Sequence, residues 1–373
     1  MTAQVYDAAV VGGGLVGSAI AWGLTRQGLA VALLDEGDVA FRASRGNFAL
    51  VWVQGKGDGQ PAYTRWTRLS AAEWPRLRDA LGEATGIETE LHQPGGVHLC
   101  FSDAEIEERL ALLERLRQGA GNHGYEYRLI QGSELADMLP GIGPKVIGAT
   151  WTPYDGHVNS LKLLHALHRA FVSAGGRYLP NARIAAATAR PRDFRLGTPS
   201  GEILASRVVL AAGLGNRALA PLFGLAAPVA PNKGQVLVTE RARQILPLPT
   251  TFIRQTGEGT IMLGDSKEDA GFDLSQSPDV MRAIAARAVA SFPWLADLNI
   301  VRAWSALRVM SADGFPIYEQ SRTCPGAFVA NCHSGVTLAA AHAFALAPMI
   351  AGGELDPMLA PFTAARFDVP AAA

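Results

Sequence analysis

The chain has 373 residues, of which 49% are hydrophobic and 18% are charged, and its formal net charge at pH 7 is −1. This length corresponds to about two domains or one large composite domain, and the high apolar fraction argues against a disordered chain. The near-neutral charge gives no reason to expect a nucleic acid or an anionic membrane surface as a partner.

The first forty residues have the pattern of a strand, a glycine turn, a helix and a second strand. The run "VYDAAVV" is short and apolar, "GGGLVG" follows it, "SAIAWGLTRQG" contains helix formers and ends on glycine, and "AVALLDEG" is a second apolar run ending in acids. This order predicts a right-handed crossover between two parallel strands.

Three glycines with the spacing G-x-G-x-x-G, Gly12, Gly14 and Gly17, lie between the predicted strand and helix. The first allows a tight turn, the second lets the backbone approach a pyrophosphate, and the third allows close packing of helix on strand. The unpaired N–H groups of the helix start then face the phosphates. Asp35 has the position of a ribose-binding acid, and Glu36 beside it is a more solvated neighbour. The combination predicts a dinucleotide site, with a ligand-free glycine turn as the alternative.

The rest of the chain alternates between the strand–turn–helix pattern of the first forty residues and other combinations of helices and strands. In "SDAEIEERLALLERLRQG", the spacing of Ile106, Leu110, Leu113 and Leu116 predicts a helix with a capping box at its start, formed by residues 102 and 105. The run "DGHVNSLKLLHALHRAFVSAGGRYL" predicts another amphipathic helix, and "GEILASRVVLAAGLGN" a strand leading into a glycine turn. Strands at "GQVLVTE" and "GTIMLGDS" precede a helix near residue 278, and "GAFVANCHSGVTLAAAHAFALAPMI" is again strand, glycine turn and helix.

The alternation of strands and helices that is typical of nucleotide-binding domains thus occurs in three parts of the chain, separated by two segments with a different pattern. We predict an α/β fold with a Rossmann-like dinucleotide-binding domain formed by residues 1–85, 148–220 and 304–373. The interruptions, residues 86–147 and 221–303, predict a discontinuous α+β substrate domain built on a mixed β-sheet.

Two late segments favour FAD over NAD as the dinucleotide. The run "VVLAAGLGN", which includes Ala212 and Gly213, places small residues where a strand passes close to a ligand. The run "NCHSGVTLAAA" places a glycine turn before an apolar helix, whose positive end can face the pyrimidine carbonyl of a flavin. An NAD enzyme does not need cofactor contacts from a segment this late in the chain.

These segments, together with "SRGN", "DGHVNS", "NKGQVLVTE", "GTIMLGDSKEDAGFD" and "WSALRVMSADGFPIYE", resemble the D-amino-acid oxidase superfamily of FAD enzymes over nearly the whole chain. The segment "ASRGNFALVWVQGKG" is most similar to flavin subunits of opine oxidases, hydrogen cyanide synthase and D-hydroxyproline or proline dehydrogenases, which often work as heteromers. The resemblance implies FAD-dependent oxidation of the C–N bond of a small amino acid, imino acid or secondary amine, and partner subunits. It also implies a non-covalent flavin, because "RVMSADGFP" lacks the cysteine to which some relatives attach it.

The resemblance further implies site residues. Arg308 of "WSALRV" would pair with the substrate carboxylate, although Ala306 and Val309 replace the glycine and proline of the family pattern. His333 and Lys56 would lie near the flavin or the carboxylate. The alternatives are a structural role for Arg308, a packed turn residue for His333 and a surface loop for the segment that contains Lys56. The cofactor contacts that we expect are Gly12, Gly14, Leu15, Val16, Gly17, Asp35, Glu36, Arg42, Ala43, Ser44, Arg45, Gly46, Asn47, Ala212, Gly213, Ser334, Gly335, Val336 and Thr337.

Several other functions are disfavoured. His165 and His168 lie on one predicted helix without a third ligand, which favours a helix-surface pair over a metal site. Cys324 and Cys332 lack a CxxC spacing, so we expect no iron–sulfur ligation. The same fold oxidises hydroxy acids or glycerol phosphate, but "RARQILP" is too weak a basic cluster for a phosphate. An electron-relay subunit that acts only within a complex stays open, whereas the charge disfavours a tRNA-modifying enzyme.

The sequence favours a soluble, cytoplasmic protein. The first apolar stretch lacks the basic leader of a signal peptide, and the second is short and contains His342 and Pro348, as expected for a buried helix. Three scattered cysteines, an odd number, favour a reducing compartment without a disulfide framework.

Overall fold

The computed structural model describes residues 4–37, 43–190 and 192–368. Its strands are β1 (Gln4–Val11), β2 (Val31–Leu34), β3 (Leu50–Val51), β4 (Gly96–Cys100), β5 (Arg128–Ile130), β6 (Gly148–Thr152), β7 (Gly156–His157), β8 (Arg177–Leu179), β9 (Ala186–Ala189), β10 (Phe194–Thr198), β11 (Gly201–Leu210), β12 (Val229–Arg241), β13 (Ile253–Gln255), β14 (Thr260–Leu263), β15 (Ile300–Ser311), β16 (Ile317–Gln320) and β17 (Ala327–Asn331).

The α-helices are α1 (Leu15–Thr25), α2 (Ala43–Gly46), α3 (Pro61–Thr85), α4 (Asp103–Ala120), α5 (Gly132–Met138), α6 (Ser160–Ser173), α7 (Asn216–Leu219), α8 (Pro278–Ser291), α9 (Ala339–Ala341) and α10 (Ala347–Gly352). A π-helical turn, His342–Leu346, joins α9 to α10. Short 3₁₀ turns span Gly121–His123, Gly213–Gly215, Ala220–Phe223, Pro293–Asp297, Pro357–Phe362 and Ala364–Phe367.

The largest sheet has the strand order β16-β17-β11-β1-β2-β8, with β10 and β9 attached beside β11. Strand β1 runs parallel to both β2 and β11, and β17 runs parallel to β11. Both faces of β1 are covered, because Ala8 and Val10 belong to one buried core while Ala9 and Val11 belong to another. A strand buried on both faces needs apolar residues at every position, which explains the continuous run "AAVV". The predicted strand–turn–helix–strand opening is confirmed.

The second apolar stretch of the sequence forms buried helices that pack on α1. Residues 338–341 and 347 are fully buried, and a Cβ at Gly23 of α1 would lie 2.5 Å from that of Ala347. A residue without a side chain is therefore required at this helix crossing. Over the described ranges of the chain, every helix is too short or too polar to span a membrane.

Two smaller sheets cover one end of the large sheet. The order of one is β13-β14-β12-β15, and that of the other is β4-β6-β5; all of their internal pairs are antiparallel. A parallel bridge between Val97 and Thr250 joins the two, and they share a buried core that includes Leu99 of β4 and Leu263 of β14. Through this parallel bridge, the otherwise antiparallel strands form the mixed sheet that we expected.

One of the expected domain boundaries separates a strand from the strands with which it pairs, and another divides a strand. Strand β6 begins at residue 148 and pairs with β4 and β5, and β15 runs unbroken through residues 303 and 304. By hydrogen bonding, residues 148–152 and 304–311 thus belong with the smaller sheets. The division into two domains stays a prediction.

The predicted helices α4 and α8 are present. The N–H of Glu105 donates to Oγ of Ser102 at 3.2 Å, and the Glu105 carboxylate accepts from the N–H of Phe101, one residue before the expected position. Ile106 and Leu113 of α4 are buried, whereas Leu110 is only half-buried because it lies at the edge of the packed face.

Candidate active site

A cavity of about 1090 Å³ lies at the carboxyl ends of β1 and β11 and continues beneath the four-stranded sheet. Val11 and Ala211 line it at the end of the large sheet, and residues 306–310 of β15 line it on the opposite side. Ligands of open α/β sheets bind at the carboxyl ends of the strands. The cavity therefore joins a nucleotide-type site to the part of the fold that we expect to bind substrate.

The three fingerprint glycines lie in close contacts, with backbone at Gly12 and Gly17 and with a side chain at Gly14. Gly12 has φ +111°, and a Cβ there would overlap the carbonyl oxygen of Ala211. A Cβ at Gly17 would overlap the carbonyl oxygen of Gly12, and one at Gly14 would lie 2.9 Å from Oγ of Ser44. The turn thus leaves bare peptide groups where α1 begins, as a pyrophosphate requires.

Two side chains from distant parts of the chain hold this turn. The buried carboxylate of Asp35 accepts hydrogen bonds from the N–H groups of Gly13 at 2.7 Å and Gly37 at 2.9 Å. His168 of α6 donates from Nε2 to the carbonyl oxygen of Gly13 at 2.8 Å. The interpretation of His165 and His168 as a helix-surface pair is therefore wrong for His168, because α6 packs against the fingerprint.

Most of the expected cofactor contacts line the cavity. These are Gly12, Gly14, Leu15, Val16, Asp35, Glu36, Ala43, Ser44, Gly46, Asn47, Ala212, Gly213, Ser334, Gly335, Val336 and Thr337. Gly17 does not line the cavity and instead packs against Gly12. Arg45 is exposed and does not line the cavity either, so its position does not support the expected cofactor contact. Arg42 lies outside the described residues.

The segment after β2 passes between the fingerprint and the smaller sheets. Ser44 accepts from the N–H of Leu15 at 2.9 Å, and Trp304 of β15 donates from Nε1 to the carbonyl oxygen of Gly46 at 2.9 Å. Arg254 of β13 donates from Nε to the carbonyl oxygen of Phe48 at 2.6 Å. Residues 44–48 are therefore held from three sides, with the backbone of residues 46–50 along the cavity.

Lys56 and His333 meet at the wall of this cavity. Nζ of Lys56 lies 2.9 Å from Nε2 of His333 and 3.0 Å from Oγ of Ser334, which also accepts from the hydroxyl of Tyr63 at 3.1 Å. Burial and the nearby charge of Lys267 lower the pKa of Lys56 to about 8. Burial and the charge of Lys56 hold the pKa of His333 well below its usual value. His333 is therefore neutral and accepts the hydrogen bond from Lys56.

Arg308 faces the same cavity but has an acidic partner. Its Nη2 lies 2.5 Å from Oδ2 of Asp265, and its Nη1 donates to Oδ1 of Asn232 at 3.1 Å. Gly234 leaves the space for this side chain, because a Cβ there would lie 2.5 Å from Nη2. Asp265, Asn232 and Lys267 also line the cavity, and none of them was among the residues expected from the sequence. Among the described residues, Arg308 thus pairs with a carboxylate, whereas the side-chain hydrogen bonds of Lys56 go to His333 and Ser334.

The residues present fit a long dinucleotide such as FAD. The bare glycine turn, Asp35, the segment 46–50, Lys56, His333 and Arg308 all line this one cavity. Among the described residues, no group of His, Cys, Asp and Glu side chains has an arrangement that could hold a metal ion. The arrangement suits redox chemistry on a small anionic substrate held beside a cofactor ring.

Comparison with known proteins gives one consistent family. The family model described as "FAD dependent oxidoreductase" (DAO) matches residues 7–349. An opine oxidase subunit of Agrobacterium tumefaciens strain Ach5 is 44% identical over 361 residues, which are 97% of this chain and 97% of the relative. The corresponding opine oxidase subunit of Rhizobium meliloti is 43% identical over 362 residues, covering 97% and 98% respectively. The crystal structure of glycine oxidase from Geobacillus kaustophilus superposes with a TM-score of 0.88 at 24% identity, covering 96% of this chain and 98% of that one, which concerns the fold alone.

Proposed function

The chain belongs to the DAO family of FAD-dependent oxidoreductases, and from that premise we propose that it oxidises the C–N bond of a carboxylate-bearing secondary amine of the opine class. Oxidation removes a hydride from the carbon beside the nitrogen and a proton from the nitrogen, which leaves an imine. When bound, FAD supplies the acceptor for that hydride. The protein's own residues bind and orient the amine.

The observation that carries this proposal is the positive charge of Lys56. Its ammonium group is half-buried in the cavity wall, and within the described chain its side-chain hydrogen bonds go to His333 and Ser334, both neutral. A cation away from bulk water is stabilised by an anion that pairs with it. A substrate carboxylate beside Lys56 supplies that anion.

Arg308 of β15 is a second cation for binding the substrate carboxylate. A guanidinium group binds a carboxylate with two parallel hydrogen bonds, and Nη1 and Nη2 of Arg308 point towards Asn232 and Asp265 at the cavity wall. We place the substrate carboxylate between Lys56 and Arg308, where Asp265 competes with it for the guanidinium. His333 keeps Lys56 in position as a neutral acceptor.

The opine class is proposed because the two relatives at 43–44% identity both belong to opine oxidases. Each of those relatives is one subunit of its enzyme, which also suggests a partner chain here, and we propose that the protein works in a heteromeric complex in the cytoplasm. The cofactor contacts proposed above and the two-domain division belong to the same proposal.

Anaerobic bleaching of the bound flavin tests the reaction. The purified holoprotein is mixed under nitrogen with opines, sarcosine, glycine, proline isomers, D-amino acids and 2-hydroxy acids, and the flavin absorbance is followed. We expect carboxylated secondary amines to bleach it fastest. Bleaching by hydroxy acids alone would replace amine oxidation with hydroxy-acid oxidation, and no bleaching without a co-expressed partner would indicate a protein that acts only in a complex.

A further inference from the structure

Resting on this proposed function, we infer that Arg109 binds a second carboxylate of the substrate and so selects secondary amines with two carboxylates over those with one. Arg109 lies on α4, far in sequence from the fingerprint, but its side chain lines the same cavity. It belongs to a part of the cavity wall that we call the arm and define by Gln54, Gly55, His98, Arg109 and Thr251.

Arg109 is a partly buried cation without an ion pair in the described part of the chain. Its Nη2 donates to Oε1 of Gln54 at 3.1 Å, and its Nε is shielded from solvent and has no hydrogen-bond partner. Asp155 and Glu108 favour its charged form from a greater distance, while burial lowers its pKa. A guanidinium group has five N–H donors, so most of its capacity is left for a ligand.

Gly55 and Gln54 are the residues beside the guanidinium group of Arg109. A Cβ at Gly55 would lie 3.8 Å from Nη1 of Arg109, and Gly55 has φ +89°, a conformation that favours glycine. Gln54 is held in turn, because its Oε1 also accepts from Thr150 at 3.1 Å and its Nε2 donates to the carbonyl oxygen of Gly96 at 3.0 Å. The amide that orients Arg109 is therefore fixed from two sides.

The other side chains of the arm do not bring a competing anion. Burial and the charge of Arg109 lower the pKa of His98 to about 3, so the imidazole is neutral, and its Nδ1 lies 2.9 Å from Oγ1 of Thr251. Asp155 does not line the cavity: its Oδ1 accepts from the N–H of Val53 at 2.5 Å, and its Oδ2 is buried without a hydrogen-bond partner among the described residues. The arm thus presents a guanidinium group among neutral side chains, which suits a carboxylate.

Among the described residues, Lys56 and Arg109 are two cavity-lining cations without an ion pair, which suits a substrate with an acid on each side of its nitrogen. Lys56 directly follows Gly55 in the chain, whereas Nη1 of Arg109 faces the bare backbone of Gly55. One carboxylate of such a substrate pairs with Lys56 and Arg308, and the other enters the arm and pairs with Arg109. An amine with one carboxylate leaves Arg109 without a partner, so its binding does not depend on that residue.

A pair of ligands that differ by one carboxylate tests this assignment. N-(1-carboxyethyl)-L-alanine and N-ethyl-L-alanine are titrated anaerobically into the holoproteins of the wild type, Arg109→Gln and Arg109→Lys, and Kd and the rate of flavin bleaching are measured. We expect Arg109→Gln to weaken the diacid by about 10- to 100-fold, the range for hydrogen bonds to charged groups, and to leave the monoacid unchanged. Arg109→Lys should restore part of the loss.

Arg115→Gln is the matched control. Arg115 lies on the same helix, is exposed, and pairs with Asp58, so its replacement removes the same charge away from the cavity. Flavin content and Tm are compared for all variants. An unchanged diacid Kd in Arg109→Gln, or an equal loss for both ligands, would overturn the assignment while leaving amine oxidation intact. If neither ligand binds or bleaches the wild type, the proposed function fails as well.

Discussion

Nζ of Lys56 lies 2.9 Å from Nε2 of His333, although the two residues are 277 positions apart in the chain. Burial lowers the pKa of both groups, and the charge of Lys56 lowers that of His333 further, because two positive charges at this separation repel in a site with little water. The result is a charged lysine beside a neutral imidazole at neutral pH. The affinity of the site for anions is therefore set by the proton of Lys56.

The inhibition of the enzyme by simple carboxylates should depend on this proton. The pKa of Lys56 in the folded protein is about 8, below its usual 10.5, so the ammonium group loses its charge as the pH rises through 8. We expect the inhibition constant of methoxyacetate, which has no amine to titrate, to be constant below pH 7 and to rise above pH 8. In Lys56→Met the constant should be higher and independent of pH from 6 to 10. A wild-type profile without this rise would contradict the role of Lys56.

Removing Arg308 should impair substrate binding without removing the flavin. Loss of a hydrogen-bonded charge pair costs about 2–5 kcal/mol, so Arg308→Ala should lower kcat/KM by about two to three orders of magnitude. Arg308→Lys should recover only part, because an ammonium group cannot form the two parallel bonds of a guanidinium group. Steady-state kinetics and flavin content are the measurements. Lost flavin or a lower Tm in Arg308→Ala would instead indicate a structural arginine.

Removing the carboxylate of Asp265 should have the opposite effect to removing Arg308, and should strengthen the binding of a carboxylate. Its carboxylate occupies Nη2 of Arg308 at 2.5 Å and so competes with a substrate carboxylate. We expect Asp265→Asn to strengthen the binding of methoxyacetate several-fold, since Arg308 then lacks its internal anion. The Kd is read from the change in flavin absorbance at pH 7. Weaker binding in Asp265→Asn would show that the acid positions Arg308 rather than competing with the substrate.

Replacement of Gly14 by valine should abolish FAD binding. A Cβ at this position already lies 2.9 Å from Oγ of Ser44, and the branched side chain would push the 43–46 segment away from α1. Gly82→Ala is the control, because a Cβ at Gly82 of α3 meets no atom within 4 Å. We expect that variant to keep its flavin and to gain up to about 1 kcal/mol in helix stability. A fully yellow Gly14→Val protein would contradict the pyrophosphate site.

Acid or heat should release the flavin from the protein. The segment that follows Arg308 up to residue 316 contains no cysteine, and Cys332, near the cavity, has its pKa raised by burial, so its thiol stays protonated and unreactive. We expect all flavin fluorescence in the supernatant after precipitation with trichloroacetic acid. Flavin retained in the pellet would indicate a covalent bond.

The parts of the site that depend on local geometry were predictable from the sequence. The roles of Gly12 and Gly17 follow from the path of one turn between β1 and α1, and the position of Asp35 follows from the end of the adjacent strand. The helix α4 followed from the spacing of its leucines. In each case the residues that determine the structure lie within a few turns or one strand of each other.

The partners of these residues were not predictable, because they come from distant segments. Asp265 follows β14 and meets Arg308 of β15 only when the four-stranded sheet has formed. Arg109 lies within "EIEERLALLERLRQG", where alternating charges are typical of a solvent-facing helix surface. His168 was interpreted in the same way, and its hydrogen bond to Gly13 spans 155 positions. A single sequence contains no signal for such pairs.

The cavity wall consists of residues from distant parts of the sequence, and this determines when the wall can form during synthesis. The wall begins at Val11 and ends at Thr337, so it draws on nearly the full length of the chain. A ribosome therefore has to synthesise the chain through Thr337 before the wall is complete, and a shorter nascent chain has no complete cofactor site. Chains that terminate before β17 should be colourless and open to proteases even though their first βαβ unit is intact.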